Sequence, residues 1–506
     1  MTRSISDELI SQAAALIAAQ LGLHFPPARW DDLERGIGAA ARELGSRDLQ
    51  SFVRSFISSP WTKSRIEILA SHLTIGETYF FRDGRTFEIL QEHILPELIS
   101  SRQKTERRLG VWSAGCCTGE EPYSIAMLLS RMIPDLTSWN ITILGTDINR
   151  RFLQRASEGI YRDWSFRSNP TWIQAKDFHR KNGLLEISPD VKKMVTLSYL
   201  NLAEDAFPSL SNNTNAMDLI LCRNVLMYFS VEQARKVIGN FHRCLIDGGW
   251  LIVSPSETSQ LLFSQFQTVS FPEATLYQKK DHTIREASRF TYSPDRESTP
   301  HLSWLPTIPA RPDLDSSALL PRGELPPPAT QESGKPDAQS SPYEEALMLY
   351  QQGSYTEAAD KLLLSLSQEG EEQPKAAALL ARVYANQGKL GEALQWCEKS
   401  IAADKLDAAC HYLHAVILQE QGSIREAALS LNRALYLDHR FVLAHFALGN
   451  LTSRQGKLKE SQKHFENALS LLSAYQQGEV LPESEGIAAG RLAEIIQSTT
   501  DREISR

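Results

Sequence analysis

The chain has 506 residues and a formal net charge of -8, with positive and negative side chains mixed along its length. This length predicts two to four domains, and the charge argues against nucleic acid as the main partner. The sequence has no apolar run of twenty residues, and its first residues lack a basic stretch followed by an apolar core. We therefore expect a cytoplasmic protein that does not insert directly into a membrane.

The six cysteines form no CxxC pair, the spacing typical of many zinc and redox sites. We expect free thiols in a reducing compartment rather than disulfides, and no metal site.

Residues 1–82 are predicted to form an N-terminal helical domain. Apolar residues recur with a helical period in Ile5–Leu21, Leu33–Leu44 and Leu49–Ile57. Pro26-Pro27 follow the first of these segments and Pro60 follows the last, as expected for residues that interrupt helices.

Residues 83–280 change to alternating strands and helices. Five apolar segments predict strands, namely Gly110–Ser113, Ile141–Thr146, Thr196–Tyr199, Met217–Cys222 and Gly249–Ser254. Helical patterns lie between most of them, which favours a mainly parallel sheet covered on both faces. The predicted fold class is a doubly wound α/β domain.

Residues 281–342 differ from both flanking regions, because eleven prolines fall between Pro294 and Pro342 among many polar residues. Such a composition cannot bury enough apolar surface to offset the entropy of the chain. We predict a disordered, Pro/Ser-rich linker.

Residues 343–480 carry an internal repeat. Gly353, Gly388, Gly422 and Gly456 follow one another at intervals of 35, 34 and 34 residues, and a small residue stands five positions after each. A helix–turn–helix period of about 34 residues is the signature of tetratricopeptide repeats. A generic helical bundle rarely gives three matched intervals, so we predict an all-α repeat domain followed by a C-terminal tail, 481–506.

The segment 111–124 has the order of a cofactor-binding loop. An apolar run ends at Trp112, Gly115 and Gly119 bracket a loop, and Glu120 opens a helical pattern. A strand, a glycine loop and a helix in this order hold nucleotide-like cofactors at the carboxyl end of α/β sheets. Tight turns of this kind also occur without a ligand, so the loop alone does not establish a site.

Asp147 stands at the end of the next predicted strand and has two interpretations. Its carboxylate is placed to accept hydrogen bonds from ribose hydroxyls, or it caps the helix that the following residues predict. The neighbouring glycine loop favours the ribose role. Cys116 and Cys117, by contrast, have no histidine beside them and are interpreted as small residues that fill the loop.

Six motifs, taken in order, resemble those of the CheR-type methyltransferases, which use S-adenosylmethionine to methylate glutamate side chains of bacterial chemoreceptors. The similarity runs from about residue 5 to residue 280. The motifs are TYFFRD (78–83), VWSAGCCTGEEPYSIA (111–126), GTDINRRFLQRASEGIY (145–161), LNL (200–202), ILCRNVLMYF (220–229) and GGWLIVSPSET (248–258). With its repeats, the chain is similar to the tetratricopeptide-bearing, WspC-like subgroup, some members of which serve chemosensory-like pathways that control biofilm or surface behaviour.

The resemblance implies a class I, Rossmann-like methyltransferase fold and assigns site residues. Glu121 would bind the ammonium group of the methionine portion, Asp147 the ribose, and Asn201-Leu202 would border the adenine. The full cofactor-binding set is Thr78, Arg82, Gly115, Glu121, Asp147, Asn201, Leu202, Arg223 and Asn224. Arg82 and Tyr228, as catalytic residues, would face the transferred methyl group and the incoming carboxylate.

Two features qualify this assignment. The family often has a polar residue two positions before the threonine, and here Gly76 stands there, so its side-chain contact is lost or replaced by backbone. The segment Tyr161–Val195 is where the family inserts a small β element that can grip a receptor tail. Here the segment holds Trp164, Trp172 and the run Lys176–Lys181, and tail binding and a solvated excursion from the sheet are equally compatible with it.

The leading hypothesis is a protein-glutamate O-methyltransferase. It would act on the cytoplasmic helical region of a methyl-accepting chemoreceptor, and its repeats would bind a further protein or peptide. A glutamate carboxylate is ionised at neutral pH and needs no general base, so the absence of a catalytic His/Asp pair is expected. The alternatives are a methyltransferase of the same fold with another substrate, and a scaffold or regulator that acts mainly through its repeats.

Overall fold

A computed structural model of the chain describes residues 5–59, 61, 63–103, 107–167, 177–181, 183–203, 207–209, 212–280, 341–367 and 373–504. The predicted linker, 281–342, lies outside these residues except for its last two positions. Trp172 and Lys176 lie outside them as well.

Four helices open the chain, namely α1 (Asp7–Leu21), α2 (Trp30–Glu43), α3 (Leu49–Ser58) and α4 (Lys63–Leu73). Their apolar faces meet in one core around Ile10, Leu33 and Phe56, as the helical period predicts. The hydroxyl of Ser6 caps α1, and Gly22 ends it in a left-handed conformation. A Cβ at Gly22 would lie 2.8 Å from the ring of Phe229, so the end of α1 packs closely against the α/β region.

The α/β region begins with α5 (Gly84–Ile89), a π-helical turn (Leu90–Ile94) and α6 (Leu95–Gln103). The strands and helices that follow are β1 (Arg108–Ala114), α7 (Glu120–Met132), β2 (Asn140–Asp147), α8 (Arg150–Glu158), β3 (Ile160–Tyr161), β4 (Phe178–Lys181), β5 (Leu184–Ile187), α9 (Pro189–Lys193), β6 (Val195–Tyr199), β7 (Met217–Leu221), α10 (Val231–Cys244), β8 (Leu245–Ile252), β9 (Gln267–Phe271) and β10 (Ala274–Gln278). Short 3₁₀ turns connect several of them.

Seven strands form the main sheet, in the order β6-β2-β1-β7-β8-β10-β9. The first five are parallel, whereas β10 runs antiparallel to β8 and β9 antiparallel to β10. Every residue of β1 and β7 is buried, as expected for central strands covered on both faces. The predicted Rossmann-like, mainly parallel sheet is therefore confirmed, and β8 begins four residues before the predicted segment.

A second, three-stranded antiparallel sheet has the order β3-β5-β4. It occupies the segment where the family resemblance implies a small β element.

The C-terminal region is all-helical. Its helices pair as α11 (Pro342–Gln352) with α12 (Tyr355–Leu366), α13 (Gln373–Asn386) with α14 (Leu390–Ala403), α15 (Ala408–Glu420) with α16 (Ile424–Leu437), and α17 (Val442–Arg454) with α18 (Leu458–Leu472). Each repeating glycine lies in the turn within a pair, with φ between +74° and +80°, a conformation that favours glycine. The small residues five positions later are fully buried, which lets the paired helices approach. The predicted repeat fold is confirmed, and α19 (Ala489–Ile504) follows it within the predicted tail.

The repeats contact the main sheet at the amino ends of β1 and β2. The Glu420 carboxylate accepts a hydrogen bond from Arg108 at 3.0 Å, and its backbone carbonyl accepts one from the Asn140 amide. Both side chains of the ion pair are about nine-tenths buried. Across the parts of the chain that the structure describes, no helix is long and apolar enough to cross a membrane.

Candidate active site

All ten predicted site residues line one cavity of about 270 Å³. They are Thr78, Arg82, Gly115, Glu121, Asp147, Asn201, Leu202, Arg223, Asn224 and Tyr228. Most of them follow the carboxyl ends of β1, β2, β6 and β7, while Thr78 and Arg82 come from the segment before α5. The carboxyl edge of a parallel sheet is the usual ligand-binding edge of this fold class.

The glycine loop after β1 lies against the loop after β7. Gly115 has φ +81°, and a Cβ there would lie 2.4 Å from Cγ2 of Val225. Any other residue would therefore strain the backbone and push the two loops apart. This close approach brings the end of β1 and the residues after β7 into one wall of the cavity.

Asp147 does not cap α8, because Asn149 does. The Asn149 side chain accepts hydrogen bonds from the backbone N–H groups of Arg151 and Phe152. The Asp147 carboxylate instead accepts hydrogen bonds from the backbone N–H groups of Asn149 at 2.8 Å and Cys117 at 2.9 Å. Of the two interpretations of Asp147 from the sequence, the helix-cap alternative is wrong. Burial raises the pKa of Asp147 to about 6, against the effect of these hydrogen bonds.

The carboxylates of the two adjacent glutamates at the start of α7 have different neighbours. Glu121 lines the cavity, where Ser113 donates a hydrogen bond to it at 2.7 Å and Arg223 forms an ion pair with it at 3.2 Å. Glu120 instead accepts hydrogen bonds from Thr118 and Ser165. Burial raises the pKa of Glu120. The structure thus brings Glu121, and not Glu120, to the cavity.

Arg223 links several parts of the cavity wall. Besides Glu121, its guanidinium lies 3.4 Å from the Asp83 carboxylate and donates a hydrogen bond to the Arg82 carbonyl at 2.7 Å. Its side chain is 3% exposed. Its Nε is buried and has no hydrogen-bond partner among the described residues.

The two predicted catalytic residues line the same cavity. Arg82 donates a hydrogen bond to the Glu77 carbonyl at 2.6 Å. Tyr228 is half-buried, and burial raises the pKa of its hydroxyl although Arg29 and Arg82 lower it. The hydroxyl is therefore protonated at neutral pH and can donate a hydrogen bond.

Asn201 and Leu202 follow β6 and border the cavity. The Asn201 amide donates a hydrogen bond to the Gln20 carbonyl at the end of α1, at 2.8 Å, and its oxygen accepts one from the Ala203 backbone N–H. Asn201 therefore joins the N-terminal helices to the sheet in addition to lining the cavity.

Glu257 is a supporting residue that the sequence analysis did not select. Its carboxylate accepts hydrogen bonds from the backbone N–H groups of Asn224 and Val225 at 2.7 Å, and of Met227 at 3.2 Å. Asn224 has φ +58°, an uncommon conformation that these bonds hold in place. The signal was present in the sequence, because Ser254 and Glu257 have the Ser-x-x-Glu spacing of a capping box.

Phe152 is a second residue that the sequence analysis did not select. It lines the cavity, and a Cβ at Gly76 would lie 2.4 Å from its ring. The aromatic ring thus occupies the space where the side chain of a polar residue at position 76 would begin.

The six cysteines are free and buried. Burial raises the pKa of the Cys116 and Cys117 thiols beside the cavity, which disfavours the nucleophilic thiolate. In the described part of the chain, no group of three or more His, Cys, Asp or Glu side chains could hold a metal ion.

An aromatic and cationic cluster stands beside the site. The Arg167 guanidinium lies 3.8 Å from the ring centre of Tyr79 and 4.5 Å from that of Trp164. Trp164 is 70% exposed. Tyr79 lies between Thr78 and Arg82, which line the cavity, and Trp164 follows the strand β3 of the small sheet.

The α/β region is similar in sequence to known proteins. The model of the family described as CheR methyltransferase, SAM binding domain, matches residues 76–275. Chemotaxis protein methyltransferase 2 of Vibrio cholerae is 33% identical over 215 residues, which cover 42% of this chain and 73% of that protein. The probable chemotaxis protein methyltransferase of Rhizobium etli is 32% identical, over 43% of this chain and 80% of that protein.

The repeat region has more distant relatives. The model of the anaphase-promoting complex, cyclosome, subunit 3, matches residues 358–434. The solved structure of MamA from Desulfovibrio magneticus RS-1 is 21% identical, covers 26% of this chain and 75% of that one, and has a TM-score of 0.25. This last similarity is too distant to bear on function.

The similarity to the chemotaxis methyltransferases covers most of the length of the relatives named above, and the matched domain model is the one that binds S-adenosylmethionine. S-adenosylmethionine is therefore the cofactor of this domain. The chain belongs to the CheR family of methyltransferases.

Proposed function

We propose that this chain transfers methyl groups to glutamate side chains of a chemoreceptor-like signalling protein and so forms γ-glutamyl methyl esters. The observation that carries this proposal is the convergence of Arg82 and Tyr228 on the same cavity as the predicted cofactor-binding residues. The names of the relatives, which are chemotaxis methyltransferases, support a substrate of this class. Residues 1–280 would form the catalytic part, and 343–480 would bind a further protein.

The charged groups of the cavity suit S-adenosylmethionine. Glu121 offers a carboxylate for an ammonium group, and the Arg223 guanidinium adds a positive charge to the cavity wall. Asp147 offers a carboxylate for ribose hydroxyls. When bound, the cofactor supplies a methyl group on a positively charged sulfur.

The acceptor needs no activation by a base, because a glutamate carboxylate is ionised near neutral pH. The contribution of the protein is therefore to orient the carboxylate and to exclude water from it. Arg82 would orient the acceptor by its charge. The protonated hydroxyl of Tyr228 would add a neutral hydrogen bond, which holds the carboxylate without removing its nucleophilicity.

Two substitutions separate these roles from cofactor binding. Arg82→Ala and Tyr228→Phe should lower turnover by more than they lower affinity for S-adenosylhomocysteine, because both side chains would act on the acceptor. Turnover is measured by transfer of a tritiated methyl group to cytoplasmic fragments of receptors, and affinity by isothermal titration. Equal losses in turnover and affinity would contradict the assignment.

A control tests whether the methylated group is a glutamate carboxylate. Receptor fragments in which the labelled glutamates are replaced by glutamine should take up no tritium, and base treatment of the labelled fragments should release methanol from the esters. Binding of S-adenosylhomocysteine that Asp147→Ala abolishes would support the cofactor site. A folded protein that binds no S-adenosylhomocysteine would favour the scaffold alternative.

A further inference from the structure

The segment between α18 and α19 is folded back on itself. We call residues 479–489 the acidic hairpin. The Leu481 N–H donates a hydrogen bond to the Ile487 carbonyl at 3.0 Å, and the Ala489 N–H donates one to the Glu479 carbonyl at 2.8 Å. The Ser484 hydroxyl closes the turn, since it donates to the Leu481 carbonyl and accepts from the Ile487 N–H.

The hairpin is anchored by its apolar residues. Leu481 and Ile487 are 3% and 2% exposed, and both belong to the hydrophobic core of the repeats. This anchoring presents the two carboxylates of the tip, Glu483 and Glu485, to the helices of the repeats.

The tip contacts the first helices of successive pairs. Glu483 forms an ion pair and a hydrogen bond with Arg382 on α13. The Tyr350 hydroxyl on α11 donates a hydrogen bond to Glu485 at 2.8 Å. We define the repeat groove by Arg382 and Tyr350, which contact these carboxylates, by Tyr412, which is close enough to feel their charge, and by Asn386, whose amide donates to the Tyr350 hydroxyl.

The charge of the groove fits carboxylates. Arg382 is largely buried, and burial alone lowers the pKa of its guanidinium, but the Glu483 carboxylate and its neighbours raise this pKa above its ordinary value. Burial and the Glu485 carboxylate both raise the pKa of Tyr350, which keeps its hydroxyl protonated and able to donate. Because a buried guanidinium is costly without an anionic partner, the groove requires a carboxylate.

The backbone of the acidic hairpin is strained at the two residues that make these contacts. Glu483 and Glu485 have φ +62° and +55°, in the left-handed region that residues with a Cβ disfavour. Glycine would adopt this turn at no steric cost, yet the chain has glutamates there. Strain of this kind persists only where the surroundings impose it, so the tip is held by its contacts with the groove.

We propose that the repeat groove is a binding site for an acidic peptide segment with two carboxylates two residues apart, and that the acidic hairpin occupies this site until such a segment of a partner protein displaces it. The occupant is part of the chain and has a high effective concentration. Strain in its tip weakens it as a competitor, so an unstrained acidic segment can replace it.

The probe for this site is a fluorescent synthetic peptide with the sequence of residues 479–489, EVLPESEGIAA. Its binding to the full-length protein is measured by fluorescence anisotropy. The variant Glu483→Gln/Glu485→Gln should bind the probe at least about tenfold more tightly than the wild type, because its own tip competes less well. Glu479→Gln, which removes an acid of the same segment outside the tip, should bind the probe as the wild type does.

The chemistry of the site is tested in the same assay. A probe with glutamine at both tip positions should bind at least about tenfold more weakly. Adding Arg382→Gln or Tyr350→Phe to the double variant should also weaken binding of the acidic probe. Hydrogen exchange in α15 and α17 serves as the check that the repeats of each variant are folded.

Displacement is measured on the unaltered protein by hydrogen exchange. Excess acidic probe should speed exchange of the Leu481 and Ile487 amides, whereas the glutamine probe should not. The proposal is overturned if the folded double variant binds the probe no more tightly than the wild type, or if both probes bind equally well. Unchanged exchange of these amides at a probe concentration that saturates anisotropy overturns the displacement step.

Discussion

The cofactor cavity and the repeat groove both contain a buried arginine paired with a carboxylate, but the carboxylates are held differently. Arg223 pairs with Glu121, at the start of α7, and this helix follows a central strand of the main sheet. Arg382 pairs with Glu483, which stands on the tip of a strained hairpin. In the first pair the carboxylate stands on a helix of the α/β region, whereas in the second it stands on a segment that can leave.

This difference separates a preorganised site from a site that the chain itself covers. A preorganised site keeps its geometry because neighbouring elements hold each side chain, and this reduces the cost of binding. A covered site requires displacement before it can bind a partner. Four substitutions or conditions test whether the two regions behave in these different ways.

The largest effect is expected for Glu257→Ala. The substitution leaves the backbone N–H groups of Asn224, Val225 and Met227 without their acceptor, and each lost bond costs about 1–3 kcal/mol where the group stays buried. We expect the α/β region to lose about 3 kcal/mol of stability or more. Urea unfolding read by hydrogen exchange in β7 measures this loss.

Glu257→Gln is the matched control, because the amide keeps one acceptor oxygen and should lose less stability than Glu257→Ala. Exchange in α13 should be the same in both variants and the wild type. Equal losses for Ala and Gln would show that the hydrogen bonds of Glu257 do not stabilise the loop.

The next effect concerns Gly76→Ala. The added Cβ would lie 2.4 Å from the Phe152 ring, and overpacking of this kind costs about 1–3 kcal/mol. Because Phe152 lines the cavity, we expect affinity for S-adenosylhomocysteine to fall about tenfold or more. Isothermal titration of the variant gives the value.

Gly76→Ala/Phe152→Leu should recover most of this affinity, since the smaller side chain leaves room for the Cβ. If the effects of the two substitutions simply add, the close approach of Gly76 and Phe152 is not the cause.

The third effect is a pH dependence. Burial raises the pKa of Asp147 to about 6, so the carboxylate that would accept ribose hydrogen bonds is protonated below this value. Affinity for S-adenosylhomocysteine should fall about tenfold as the pH drops from 7 to 5. Titration calorimetry of wild type and Asp147→Asn measures this, and the variant should lack the dependence.

The loss of affinity in acid is distinct from unfolding. A carboxyl whose pKa is raised by folding favours the folded state most at low pH, and this contribution is lost as the pH rises through about 6. For Asp147, lowering the pH from 7 to 5 therefore favours the folded state, so the weaker binding is not caused by acid unfolding at this residue. A wild-type affinity that stays constant between pH 7 and 5 would contradict a protonation of Asp147 near pH 6 that weakens ligand binding.

Local patterns predicted the elements and motifs of the two regions but not the contacts between distant segments. The central strands β1 and β7 are buried apolar runs, and the four repeat glycines lie at even spacing, so both could be identified by position alone. The two antiparallel strands β9 and β10 were not predicted, because they are only partly buried and their apolar pattern is weak.

The contacts that could not be predicted all join residues that are far apart along the chain. Phe152 fills the space beside Gly76 from 76 positions away (152 − 76), and the motif around each residue gives no sign of the other. Glu483 and Glu485 meet partners 101 and 135 positions earlier. The residues next to them in sequence predicted only a tail. The contacts of this short polar turn are with residues of the groove, which are distant in the sequence.

The smallest effect is a difference between two variants at one position of the acidic hairpin. Glu483→Ala and Glu483→Gly both remove the carboxylate that pairs with Arg382, but only glycine relieves the left-handed conformation at φ +62°. The glycine variant should therefore hold the hairpin more stably than the alanine variant by about 1 kcal/mol. Hydrogen exchange of the Leu481 and Ile487 amides measures this difference, and exchange in β7 should be the same in both variants. Equal protection of these amides from exchange in the two variants would mean that the tip is not strained. The backbone strain would then not help an acidic partner to displace the hairpin.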